Sequence, residues 1–334
     1  MGICFSIVNL FKSSPVMRYS AAFKILVFGF VLIPYFIVAQ QNMAGFNKFS
    51  KSDNILDKGG AVDFLPFFNK SLKKNNFTSP KPFGIAFSSM IYQQEYISKN
   101  LRIKGETVTG IEVFARGDSV SQQTTAGELK GYIKPNIWLF PFLNVYGIFG
   151  FTTGEIRPDL FIDGIIIEDL PGIGDYYIDT TFILNDEIRY NGQTFGFGTT
   201  LSFGIYPYAF LLDYHYTVTS PSDLEGKMHN HFLSPKFGYY ISTKNKNLKI
   251  MAWLGAMYFM NDQSFTGEIT VEEIAPELVL VFGEKALYSG EIEAIHNWNM
   301  LAGINLNIKQ KHLVFLEIGF INRIQASIGY GFLF

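Results

Sequence analysis

Cysteine is nearly absent: Cys4 is the only one. A single thiol excludes a disulfide framework and a cysteine-built metal site. A basic excess is missing too, with 27 Lys and Arg against 29 Asp and Glu. No basic cluster is interleaved with aromatics, so nucleic acid is not an expected partner. Charge of either sign is scarce at 17%, against roughly 25% in a soluble domain. Beyond residue 39 no apolar run reaches the ~20 residues of a spanning helix. The sequence holds no GxSxG, no HExxH and no phosphate loop. Asp163-Gly164 lacks the carboxylate spacing of a calcium loop. Neither a metal nor a cofactor is expected.

Aromatic side chains are abundant, with 34 Phe and 18 Tyr. Mean hydropathy is +0.16, too apolar for most soluble proteins and too polar for a helical membrane bundle. The apolar residues alternate with polar ones, the period of a strand with two different faces. In 297–308, Trp298, Met300, Ala302 and Ile304 oppose Asn297, Asn299, Gly303 and Asn305. In 193–206, Phe195, Phe197 and Phe203 oppose Thr194, Gly196, Gly198 and Ser202. A soluble core of Gly, Thr and Asn would not hold together. Lipid outside and a polar interior account for the pattern, so the expected fold is an all-β, antiparallel, up-and-down transmembrane barrel.

The alternation predicts ten strands: 83–97, 127–140, 142–156, 193–206, 208–219, 231–242, 248–261, 296–308, 312–322 and 324–334. Twelve is the alternative if a long loop supplies another hairpin. Short turns near Pro141, Pro207, 243–247 and 309–311 alternate with long connections at 98–126, 157–192, 220–230 and 262–295. That asymmetry is the one between short periplasmic turns and long external loops.

Two further segments point to the compartment. Arg18 and Lys24 precede the apolar stretch 25–38, and Ala39-Gln40 offers a cleavage site, the layout of a secretory signal peptide. Residues 1–39 are the expected leader, with Met17 an alternative start, 40–82 a periplasmic or plug-like segment, and 83–334 the barrel. The leader resembles signal peptides of the Bacteroidota. At the other end Phe334, Phe332 and Tyr330, followed inward by Ile328, Ala326 and Ile324 at every second position, resemble the C-terminal signal of bacterial outer-membrane proteins. This resemblance implies outer-membrane lipid as surroundings and the barrel-assembly machinery as a partner during insertion.

Parity places Lys130, Lys134, Asp213, His215, Lys236 and Glu317 on the inward face, either as a salt-bridged filling or as a pore lining. His215 is expected toward the external rim, with His229, His231 and His296 nearby. The loops 157–191 and 262–295 are acidic: Asp163, Glu168, Asp169, Glu268, Glu272 and Glu273 are among sixteen carboxylates set against Arg157, Arg189 and Lys285. They also carry apolar runs, Ile165–Ile167 and Leu278–Phe282, that need cover from each other or from a neighbouring envelope protein. Three functions follow: a non-conducting anchor or surface-binding subunit with acidic external loops, a narrow channel for small solutes, or a rim-sited hydrolase.

Overall fold

The computed structural model describes residues 65–67, 80–107, 110, 112–170, 174–222, 224, 226–245, 247–274 and 276–334. The expected leader and most of the 40–82 segment lie outside the described residues.

Alternating side chains produce long antiparallel strands: β1 (Phe83–Glu106), β2 (Glu112–Phe140), β3 (Leu143–Leu170), β4 (Gly174–Asn185), β5 (Ile188–Ile205), β6 (Tyr208–Pro221), β7 (Met228–Ile241), β8 (Leu248–Thr270), β9 (Lys285–Ala294), β10 (Trp298–Ile308), β11 (His312–Phe320) and β12 (Arg323–Leu333). Two one-turn helices, α1 (Val271–Ile274) and α2 (Val279–Phe282), lie between β8 and β9. Among the described residues no helix is long and apolar enough to cross a membrane.

Ten strands close a ring in the order β10-β11-β12-β1-β2-β3-β5-β6-β7-β8, with β8 pairing back onto β10. These ten are the expected ones. The seam joins first strand to last: Phe87 pairs with Tyr330 and Ile85 with Phe332. Phe83 and Phe334 exchange backbone hydrogen bonds of 3.4 and 3.0 Å. Strands β10, β11 and β12 are 11, 9 and 11 residues long, the length that a tilted strand needs to cross a bilayer.

The remaining strands run on past the membrane. The stretches read as loops 98–126, 157–192 and 262–295 are largely strand: β2 and β3 reach 29 and 28 residues, and β4 and β9 are additional. β4 pairs with β3, and β9 joins β8 to β1 above the short β10–β12 sector. The reason is a reversal of polarity. Within the membrane the inward positions are polar, for example Thr152 and Lys130; higher on the same strands they are Leu101, Ile103, Ile162 and Ile165, all buried. A pattern sought as apolar-outward stops where the polarity flips. In β1 the flip coincides with a bulge: the register shifts between Tyr96 and Arg102, and Asn100 takes φ 53°.

Close packing explains the inward glycines. A Cβ on Gly303 would lie 2.3 Å from the Trp253 indole, and one on Gly198 would lie 2.4 Å from the Tyr146 ring. Each glycine is a recess for an aromatic side chain that leans over from the adjacent strand.

Candidate functional site: a filled lumen beneath an external storey

Rings of aromatic side chains border the outward apolar surface. Near the periplasmic turns, Phe140 stacks on Phe142 at 5.4 Å, Phe142 on Phe203 at 6.0 Å, and Phe332 on Phe334 at 6.1 Å. At the opposite edge Tyr258 and Trp298 are 5.3 Å apart. Between these belts Phe195, Phe197, Leu254 and Ile304 are exposed to what must be lipid. Residue 67 reaches the periplasmic end, where its N–H donates to Leu139 O at 2.8 Å and its ring lies 5.4 Å from Phe140.

Inside the ring, three carboxylates organise the polar side chains. Glu128 accepts hydrogen bonds from the hydroxyls of Tyr92 and Tyr190 and pairs with Lys130 at 2.6 Å. Glu317 pairs with Lys236 at 2.6 Å and accepts from Gln325 at 2.9 Å. Gln325 in turn accepts from Arg323, which donates to Gln94 at 3.0 Å and lies 4.9 Å from the Phe259 ring. Asp213 accepts from Tyr146 at 2.9 Å and Thr200 at 2.6 Å, with His215 Nδ1 at 3.3 Å. Lys134 lies over the rings of Tyr132 and Tyr146 at 5.6 and 5.3 Å.

These groups are largely shielded from water, with Asp213 and Lys236 keeping 13% side-chain exposure. Lys130 and Thr194 have no exposure, and Glu128 and Glu317 retain 4% each. Charges so deep in a protein are tolerated only when paired and hydrogen-bonded. His215 is not near the external rim. It is buried in the lumen and stacked on Phe232 at 4.4 Å, because the wall continues far above it. His229 and His231 hydrogen-bond Tyr216 and Tyr214 and share the outward parity of β7, so they do not join Asp213 and His215. Among the described residues no three His, Cys, Asp or Glu side chains are placed to hold a metal ion.

Above the membrane the interior is a hydrophobic core. Ile156, Leu160, Ile162 and Ile165 from β3, Tyr288 and Ile292 from β9, and Leu278 and Phe282 from the helical segment form one buried cluster. The apolar runs that needed cover therefore find it in each other. Tyr288 crosses this core to donate to Asp186 at 2.5 Å. Burial, reinforced by that hydrogen bond and the Asp186 charge, raises the Tyr288 pKa.

The external carboxylates sit on the storey's outer surface and are more evenly paired than a count over two loops suggests. Glu168 lies 3.5 Å from Arg116, Glu268 pairs with Lys285, Glu293 with Lys99, and Glu112 with Lys104 at 2.6 Å. Arg116, Lys99 and Lys104 belong to the first external hairpin, which the two-loop count left out. Asp163 accepts from Thr181 at 2.9 Å. Glu272 is exposed, while the side chains of Asp169 and Glu273 lie outside the described residues.

A closed antiparallel ring, an apolar belt between aromatic girdles and a polar interior define a transmembrane β-barrel of the outer-membrane type, and the chain resides in that membrane. No protein-family model matches the chain, and no curated protein matches its sequence. Among solved structures, the β domain of the Bordetella autotransporter BrkA is 12% identical at TM-score 0.31, covering 75% of this chain and 99% of that one. An outer-membrane channel from Pseudomonas putida F1 is 13% identical at TM-score 0.31, covering 77% and 97%. The Ralstonia pickettii toluene transporter TbuX is 9% identical at TM-score 0.28, covering 77% and 90%. Values this low have no bearing on what this barrel does.

Proposed function

We propose that the protein is a non-conducting outer-membrane anchor that carries a folded external platform, whose outer surface binds a partner in the cell envelope. One observation supports this most strongly: the interior is filled twice, by a buried charge network at membrane level and by a hydrophobic core above it. A channel needs a continuous water path, and the burial of Lys130, Glu128 and Glu317, at zero to 4% exposure, speaks against a wide one. A hydrolase needs an accessible acid–base pair, and Asp213 with His215 keeps only 13% and 10% side-chain exposure within the ring. What faces outward is a sheet that carries carboxylates such as Glu272 and Asp163, a surface suited to a basic protein face.

The test is affinity purification from native membranes at low and moderate salt. A stoichiometric partner should be recovered with the wild type and lost with Glu268→Gln/Glu272→Gln while the barrel stays heat-modifiable. Recovery of no partner, or equal recovery with the variant, contradicts the platform reading.

A further inference from the structure

The outward face of β7 changes character along its length. From the periplasmic turn it presents Ile241, Tyr239, Phe237, Pro235 and Leu233, then His231 and His229, with Lys227 exposed one residue beyond the strand. The apolar part covers eight residue steps, about 26 Å along the strand, or roughly 20 Å of depth at a ~40° tilt. That is close to the height of a lipid-facing band, about 25 Å. The two histidines therefore stand where the acyl region gives way to headgroups, on the external side. Tyr258, one end of the outer aromatic pair, is the register partner of Leu233, and Met260 is that of His231.

The rings are held rather than free. Tyr214 Oη lies 3.1 Å from His231 Nδ1, and Tyr216 Oη lies 2.6 Å from His229 Nδ1. The Tyr216 ring also packs on His231, with centroids 4.8 Å apart. A phenol that donates to Nδ1 leaves the proton of a neutral imidazole on Nε2. Two N–H donors two residues apart, with Lys227 two residues further along the chain, make a set that matches a phosphate monoester.

We infer that Lys227, His229 and His231 form a binding site for the phosphate of a phosphorylated glycolipid of the outer leaflet, with Tyr214 and Tyr216 as positioning residues. The lipid is retained by phosphate contacts at the rim of β6 and β7, while its chains lie along the apolar face below. This site lies on the lipid-facing wall and is independent of any partner on the external platform.

The experiment is native mass spectrometry of the full barrel in detergent, with a bis-phosphorylated lipid A and its dephosphorylated form as probes. The wild type should retain the phosphorylated probe and release the other. His229→Gln/His231→Gln should lower retention about tenfold, and Tyr216→Phe by less. Lys309→Gln/Lys311→Gln, on the periplasmic turn, should not change it. Asp262 is the backbone register partner of His229; a fall in retention with Asp262→Asn would mean a cation-bridged contact and overturn direct pairing. Equal retention of the two probes, or no loss in the histidine variant, also overturns the site. Displacement of the lipid by millimolar inorganic phosphate would overturn its assignment to a lipid.

Discussion

Lys236 on β7 and Glu317 on β11 meet at 2.6 Å inside the ring, 81 residues apart in sequence, both largely buried. The pair bridges the inner wall over the two strands between them, β8 and β10, and Glu317, at 4% exposure, has little water to fall back on. Lys236→Met should therefore destabilise the barrel by about 3–5 kcal/mol, because it leaves Glu317 buried without its counter-charge. Lys236→Met/Glu317→Leu should recover most of that loss. Urea-unfolding midpoints in detergent check both; equal destabilisation by the single and double variants would contradict the pairing.

The external core should behave as a separate layer. Phe282 is buried against β1, so closely that a Cβ on Gly105 would lie 2.5 Å from its carbonyl oxygen. Phe282→Ala should cost about 3–5 kcal/mol, felt first in 271–294. Hydrogen exchange should accelerate there while β10–β12 stay protected. Gly105→Val should open the same region by displacing the α2 backbone.

The Tyr288 phenol gives that layer a pH dependence. Its pKa is raised in the folded protein, by burial first and by Asp186 second. A raised pKa means that the folded state keeps the proton longer than the unfolded one. The stabilisation is then complete below the ordinary tyrosine value of about 10 and is lost as pH rises beyond it. Protease resistance of the external storey should decline above about pH 10 in the wild type, and less in Tyr288→Phe. An identical decline in the two proteins would remove Tyr288 as the cause.

The aromatic C-terminus closes the ring, since Phe334 bonds to Phe83 and their rings stack at 6.3 Å. Deleting Phe334, or changing it to Asp, should sharply reduce assembled barrel, through the lost seam contacts and through a charge near the apolar belt. Abundance and heat-modifiable migration measure this, and normal values for both would refute it.

The membrane ring was legible in the sequence, and the storey above it was not. Trp298 opposite Asn299, and Ile324 opposite Gln325, state an outside and an inside without help from distant residues. Leu101, Ile103 and Ile165 alternate just as regularly, but they point inward, and a reading tuned to apolar-outward strands passes over them. The bulge at Asn100 further breaks the count by shifting parity within one strand. The inward charges were placed by parity alone; their pairing, such as Arg323 reaching Gln94 on the first strand, follows from ring closure and leaves no local mark. The pairing of the external carboxylates leaves no local mark either: Arg116, which faces Glu168, is far from it in the chain.

Single-channel recording in planar bilayers tests the central claim most directly. Purified full-length barrel should insert and give no steady conductance at physiological salt, because the Glu128–Lys130 and Glu317–Lys236 network and the core above it occlude the interior. Large, steady, porin-sized currents from the same preparation would contradict the account and restore a channel as the function.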